Sequence, residues 1–300
     1  MIPLIVIVGP TAAGKSEIAA RLAEKIGGVI VNADARQIYR EIDVVSAAPS
    51  ISEQKSTRLY CFKQVNEPYS FAEYVADADR EIAEISASGK VAIVVGGTGL
   101  YVDALVNRFV SPPEAHPEIR LRVQSLSAHD ALKELEARDA ACLNTIDVQN
   151  PRRVQRALEV VMQTGQSITS FRETHENSPY RACMVGWAGG ERAELNDRIE
   201  RRVHAMFNHG AIEEVQGLLK KGYASNDPGM QSIGIAEISD YIQGASTLDL
   251  TKQKMIERTR QYAKRQMTWF RRNKNIVWYT SFDDIWHSVH DFLQTNYKQF

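Results

Sequence analysis

Hydrophobic positions along the chain follow two periods. Residues 4–8 form an unbroken apolar run, Leu4-Ile5-Val6-Ile7-Val8, rich in β-branched side chains, which predicts a strand covered on both faces. Residues 15–26 place Ile18, Ala19, Leu22 and Ile26 on one helical face, and Gly27-Gly28 closes that helix. Residues 29–32 read as a second strand and 91–95 as a third, again continuously apolar. Between them, 71–86 carries Tyr74, Val75, Ala78, Ile82 and Ile85 near helical spacing, whereas 35–70 reads as loops with short irregular pieces. A short helix follows at 100–106. Such alternation predicts an α/β fold built on a parallel sheet with right-handed crossovers.

The pattern changes at Ser111-Pro112-Pro113-Glu114 and Pro117. From 118 to about 172 only helical periods appear: one to 127, one at 129–140 and one after Asn150-Pro151. Strand character returns at 182–187. Helices at 195–208 and 211–220 are separated at Gly210, a long helix spans 250–272, and 276–279 is a last short strand. The predicted organisation is a parallel-sheet core of residues 1–110 and 181–300 flanked by helices, with an inserted all-helical domain at 111–180.

Composition narrows the class. Apolar and charged shares of 44% and 24% are those of a globular chain, and no apolar run has the length of a membrane span. No basic region precedes the first apolar run, so it reads as a strand rather than a signal peptide. Cys61, Cys142 and Cys183 are scattered, without metal or redox spacing, which suits a reducing cytoplasm. A net charge of −1 is unlike a generic nucleic-acid binder. The cations are nonetheless clustered: Arg152, Arg153 and Arg156; Arg198, Arg201 and Arg202; and Arg258, Arg260, Lys264, Arg265, Arg271, Arg272 and Lys274 with no acid between them. Each cluster alone reads as a solvated helix face. Together they leave a phosphate-rich partner equally open.

Candidate chemistry begins after the first strand. Gly9-Pro10-Thr11-Ala12-Ala13-Gly14-Lys15-Ser16 fits the P-loop pattern, with the strand before and helix after that the motif requires. Its backbone N–H groups and the helix dipole favour a polyphosphate, Lys15 adds a point charge, and the Ser16 hydroxyl can ligate Mg2+. The core is therefore expected to be P-loop NTPase-like. Asp34 lies just past the second strand, where it can hold Mg2+ through water or act as a general base. Asp34-Ala35-Arg36-Gln37 places an acid, a cation and an amide in one loop, and a Gln amide can bond an adenine edge in two places. Thr98 lies in a second glycine-rich turn, either a plain strand-to-helix turn or a support for a departing oxygen. Arg152 and Arg156 share a polar stripe with Glu159 and Gln163, opposite Val154, Leu158 and Val161. Arginines near a helix N-terminus are poorly placed for the dipole, which points to an external anion. In Arg260–Arg272, Tyr262, Trp269 and Phe270 are interleaved with cations. That suits nucleic-acid stacking, and equally a buried helix face.

These pieces, taken together, resemble the bacterial tRNA dimethylallyltransferases. The matching stretches are GPTAAGKS at 9–16, NADARQIYR at 32–40, EPYS at 67–70, VGGTGLY at 95–101 and RALEV at 156–160 with TG at 164–165. RIERRV at 198–203, SIG at 232–234, DYIQG at 240–244 and YAKRQMTWF at 262–270 complete the set. Only the P-loop is specific by itself, but the ordered set spans nearly the whole chain. The resemblance implies transfer of the dimethylallyl group of dimethylallyl diphosphate to the N6 amine of adenosine 37 in the tRNA anticodon stem-loop. The enzyme would be a cytoplasmic monomer that uses Mg2+.

In that light the P-loop residues Gly9 to Ser16 hold a diphosphate leaving group with Arg198, and Ser16 meets the metal. Asp34 resembles the base that takes the N6 proton, and Thr98 the hydroxyl that supports the bridging oxygen. The tRNA-contacting segments correspond to Asp34, Ala35, Arg36 and Gln37; to Arg152, Arg153, Val154, Gln155 and Arg156; and to Gln231, Ser232, Ile233 and Gly234 with the two residues after them. The helical insertion would grip the anticodon stem. Departures from the family pattern are Ala35 for Ser, Val45-Ser46-Ala47-Ala48-Pro49 for Gly-Thr-Ala-Lys-Pro, Thr57-Arg58 near a common His, Arg152 for Gln and Ile235 for Tyr. They bear on tRNA contact more than on the reaction. The rival readings are a P-loop nucleotide or small-molecule kinase and an NTP-dependent RNA-binding switch.

Overall fold

The structure is a computed structural model that describes residues 1–50, 57–173 and 177–297. Its secondary structure runs β1 (Ile2–Val8), α1 (Lys15–Ile26), β2 (Val29–Asn32), α2 (Asp43–Ser46), β3 (Thr57–Arg58), α3 (Phe71–Ala87), β4 (Ala92–Gly96) and α4 (Gly99–Asn107). It continues α5 (Pro117–Ser125), α6 (Ala128–Asp139), α7 (Pro151–Thr164), α8 (Ile168–Glu173), β5 (Tyr180–Trp187), α9 (Arg192–Asn208) and α10 (Ala211–Lys220). Last come α11 (Ile235–Ile242), α12 (Leu248–Phe270), β6 (Val277–Tyr279) and α13 (Phe282–Asn296).

The strands form one parallel α/β sheet in the order β3-β2-β4-β1-β5-β6. Leu4 to Val8 are wholly buried, as a central strand requires. Because strand side chains alternate, β1 feeds two cores. Leu4, Val6 and Val8 pack with Tyr74 and Ile82 of α3 and Phe270 of α12. Ile5 and Ile7 pack with Ile18 and Leu22 of α1 and with Phe282, Ile285, Val289 and Leu293 of α13. A third apolar cluster joins α9 to α12 with Ile38, Ile42 and Val45. The register levels the carboxyl ends: Val8 pairs with Gly96 and with Gly186, and Asn32 with Val95. Each functional loop therefore leaves from one edge of the sheet.

Contacts divide the chain into two compact units, Met1–Val106 with Pro179–Phe300, and Asn107–Ser178. The smaller is all-helical among its described residues, with Val123, Leu135, Val154 and Leu158 at its centre.

Several elements depart from the sequence-based expectation. The stretch 35–70 contains α2 and β3. The single helical run expected after Asn150-Pro151 is broken at Gly165, which caps α7 with φ 68° and so ends it in the left-handed region that glycine allows. Helices α11 and α13 lie where no element was assigned. α13 is the plainer omission: Phe282, Ile285, Val289 and Leu293 recur at helical spacing and all are buried.

Candidate active site

The sheet edge opens into a cavity of about 780 Å³, lined by Thr11, Lys15, Ser16, Asp34, Arg198 and Arg202 among others. The P-loop takes its shape from close approaches. A Cβ on Gly9 would lie 2.0 Å from the Trp187 carbonyl oxygen, so only glycine fits there. The Trp187 indole N–H donates to Ala13 O at 2.8 Å and holds the loop from β5. Ala12 and Gly14 are exposed to the cavity, and Pro10 is buried beneath it. Lys15 Nζ donates to Pro10 O at 2.7 Å. Burial brings the Lys15 pKa down to about 8, with the Asp34 charge opposing that shift and the Arg202 charge adding to it.

Helix α9 supplies two further cations. Arg198 Nε donates to Ala12 O at 3.1 Å, while its Nη2 is buried with no hydrogen-bond partner among the described residues. Gly189 makes room for it, since a Cβ there would come within 2.5 Å of that nitrogen. Arg202 donates to Thr11 Oγ1 and to Ser46 O, both at 3.3 Å. Burial lowers its pKa, again against the Asp34 charge. No role was assigned to Arg202 from sequence, although a separation of four from Arg198 puts both on one helix face.

Across from these cations stands Asp34. Asn32 is fully buried; its Oδ1 accepts the Asp34 N–H at 2.9 Å and its Nδ2 donates to Leu59 O at 2.9 Å. Asp34 Oδ1 in turn accepts the Arg36 N–H at 2.9 Å. Thr98 Oγ1 accepts the Ala35 N–H at 2.9 Å. The cavity wall at the end of β4 is Val95 and Gly96, so Thr98 meets the Asp34 loop more directly than the open space. Tyr262 lines the cavity, and its pKa is raised to about 12, chiefly by burial.

Other expected contacts take a different form. Gln37 Nε2 donates to Ala47 O at 2.8 Å and Ser46 O at 3.2 Å, so a base finds only the acceptor oxygen of that amide, not two groups. Arg36 Nη1 donates to Pro228 O at 2.8 Å, which ties this loop to the one that leads into Gln231, Ser232 and Ile233 of the cavity wall. Gly234 is buried beyond them, and its N–H donates to Glu237 Oε2.

The helical unit carries the remaining residues. Arg152 and Arg153 are exposed on α7, and Gln155 is half-buried. Val154 is 2% exposed and belongs to that unit's core. Arg156 is engaged internally, donating to Pro112 O and Pro113 O and pairing with Glu159. Gln163 binds Glu114 O and the His116 N–H. The polar stripe of Arg156, Glu159 and Gln163 therefore anchors residues 112–116, and the external anion expected from it is left to Arg152 and Arg153.

Gln266 lies in the 262–270 stretch, where no local pattern marks it for a role. On α12 and 5% exposed, it accepts the Thr11 N–H at 2.7 Å and donates to Gly97 O at 2.8 Å, bridging the two glycine-rich loops. A Cβ on Gly97 would lie 2.1 Å from its Nε2, and one on Gly99 2.2 Å from the Trp269 ring, which explains the glycines of the second turn. Of the aromatics nearby, Phe270 is buried, and Trp269 donates to Asp103 Oδ2 at 2.7 Å. Gln266→Leu leaves a part-buried N–H and a buried carbonyl unpaired and is expected to destabilise the fold by about 2 kcal/mol. The midpoint of urea unfolding measures this, and an unchanged midpoint would mean that the bridge adds nothing.

The chain matches the protein-family model described as IPP transferase over residues 37–273. It is 39% identical to the tRNA dimethylallyltransferase of Geobacter metallireducens over 96% of this chain and 97% of that protein. It is likewise 39% identical to that of Geobacter sulfurreducens, over 94% of each. Among solved structures it is similar to the full-length tRNA isopentenylpyrophosphate transferase of Bacillus halodurans, with a TM-score of 0.73 and 33% identity over 98% and 96% of the two chains. It is also similar to a eukaryotic dimethylallyltransferase acting on tRNA, with a TM-score of 0.78 and 25% identity over 90% of this chain and 70% of that one.

Proposed function

The chain belongs to the IPP transferase family of tRNA dimethylallyltransferases, and on that premise we propose that it moves the dimethylallyl group from dimethylallyl diphosphate to the N6 amine of adenosine 37 in tRNA, with release of diphosphate. The observation that carries this reading is the division of charge within one cavity. A single carboxylate, Asp34 at the end of β2, stands among cations, with Lys15, Arg198 and Arg202 gathered at the P-loop and Arg36, Arg201, Arg258 and Arg265 elsewhere on the wall.

The division matches the bonds that change. N6 attacks C1 of the dimethylallyl group as the bond from C1 to the bridging oxygen breaks. The electron pair leaves with the diphosphate, and Lys15, Arg198 and Arg202 take up that charge as it grows. The N6 proton passes to Asp34, since an exocyclic amine is a poor nucleophile until its proton has an acceptor. Thr98 accepts from Ala35 and keeps its own proton to give to the bridging oxygen during transfer.

Mg2+ fits the residues present. Ser16 is exposed in the cavity, and no cluster of His, Cys, Asp or Glu able to hold a metal exists among the described residues. A hydroxyl without an acid cluster suits an ion that is carried mostly by the diphosphate oxygens. Ser16 would be its protein ligand, and the ion would neutralise leaving-group charge.

The base reaches the cavity by leaving its stack, at lower cost in a loop than in a duplex. Asp34, Arg36 and Gln37 with Gln231, Ser232 and Ile233 line its place, Gln37 through its acceptor oxygen alone. Arg152 and Arg153 of the helical unit hold backbone phosphates of the anticodon stem. Among the described residues no helix is long and apolar enough to cross a membrane. The enzyme is taken to be cytoplasmic. It is taken to act as a monomer.

Incubation with dimethylallyl diphosphate and unmodified tRNA is expected to yield N6-dimethylallyladenosine and one diphosphate per transfer, read by nucleoside mass spectrometry. Phosphoryl transfer from ATP with no modified nucleoside would overturn the assignment in favour of a P-loop kinase.

A further inference from the structure

Glu214 has no part in the chemistry above, yet it lies half-buried beside the crevice. From α10 its carboxylate oxygens accept the Val44 N–H at 2.8 Å and the Val45 N–H at 2.9 Å. Both N–H groups belong to α2, which has four residues and is too short to persist by itself. Packing helps, because Ile42 and Val45 share an apolar cluster with Val215 and Leu218 of α10. Apolar contact is non-directional, however, whereas two N–H bonds to one carboxylate fix the orientation of the short helix.

That orientation matters at the other end of α2. Ser46 O accepts from Gln37 Nε2 at 3.2 Å and from Arg202 Nη2 at 3.3 Å, and Ala47 O accepts from Gln37 Nε2 at 2.8 Å. Ala47 sits at φ 49°, in the left-handed region that alanine rarely adopts, so the turn depends on its surroundings for its shape. Ser46 O thus anchors one side chain on the base side of the crevice and one on the diphosphate side, and Ala47 O adds a second hold on the former.

We propose that Glu214 is a positioning residue: by holding α2 it sets Gln37 and Arg202 together, while touching neither substrate. The proposal rests on the prenyl-transfer reading of the cavity. Loss of the carboxylate loosens both side chains while Asp34, held separately by Asn32, stays in place. Binding of both substrates should weaken, and because Arg202 also takes up charge as the diphosphate leaves, the chemical step should slow with it.

Steady-state kinetics of the full chain carrying Glu214→Ala test this. KM for dimethylallyl diphosphate and KM for tRNA are each expected to rise about five- to tenfold, with kcat lowered as well through Arg202. Glu214→Gln keeps one acceptor and should fall between the two, and it serves as the variant to measure if the alanine form does not fold. A role confined to stability would lower the active fraction, and so the apparent kcat, with neither KM moved; that result overturns the proposal, as does movement of one KM alone. Failure of the wild-type chain to prenylate tRNA would count against the functional reading instead. Inorganic diphosphate affinity, measured by calorimetry, then decides on Glu214: weaker binding by Glu214→Ala supports its role through Arg202, and unchanged binding overturns it.

Discussion

Asp34→Asn is expected to lower prenyl transfer by about a hundred- to ten-thousand-fold, the range of a lost general base, with tRNA affinity nearly unchanged. Asparagine is the informative replacement because of what Asp34 does in the fold. Its Oδ1 accepts the Arg36 N–H, and an amide oxygen can keep that bond. Arg36 in turn donates to Pro228 O, so the loop geometry on both sides of the base survives the change. Only the capacity to take a proton is removed. Asp34→Ala removes the acceptor as well, so it should add a tRNA-binding defect to the catalytic one. Filter binding alongside single-turnover transfer separates the two effects. Loss of tRNA affinity in Asp34→Asn would mean that Asp34 recognises the base rather than accepting its proton.

Lys15 should give the second large effect, and one with a pH signature. Lys15→Met takes away a cation next to the leaving group and is expected to reduce kcat/KM by about a hundred- to a thousandfold. In the free enzyme burial holds the Lys15 pKa at about 8. As pH rises through that value the ammonium loses its proton, the diphosphate loses a partner, and wild-type kcat/KM should fall. Bound diphosphate favours the charged form and raises the pKa, so kcat should hold to higher pH than kcat/KM. Lys15→Met has no such group and should lack this alkaline limb. Parallel pH profiles of the two proteins check the assignment; an identical limb in both would place the titration elsewhere.

Much of this site could be read along the chain because its motifs are local. The P-loop is eight consecutive residues between a strand and a helix, and the backbone N–H groups that cradle a phosphate come from that stretch alone. Asp34 was legible by position, one step beyond a β-branched strand, though its metal and base roles could not be separated there. Arg202 was half-legible: its cluster was visible and a separation of four puts it on one helix face with Arg198, but that spacing does not tell which face turns inward. Val154 and Arg156 mark the opposite limit. Both lie in a stretch that resembles a tRNA-contacting one, yet one packs in the core of the helical unit and the other holds residues 112–116.

By itself, the sequence determined the parallel α/β core, the polyphosphate loop and, through an ordered set of weak motifs, the family. Period, composition and short-range spacing are enough for these, since each depends on neighbours within a few turns of chain. Tertiary structure alone decided how the loops from β1, β2, β4 and β5 converge. The register that levels Val8, Gly96 and Gly186 brings Gln266 to Thr11 across 255 positions and Arg36 to Pro228 across 192. It also decided that only the oxygen of the Gln37 amide is left for a ligand, because Ser46 and Ala47 occupy its nitrogen. A side chain's hydrogen-bonding capacity is written in its residue type, but which part of it remains for a ligand depends on partners that only the folded chain supplies.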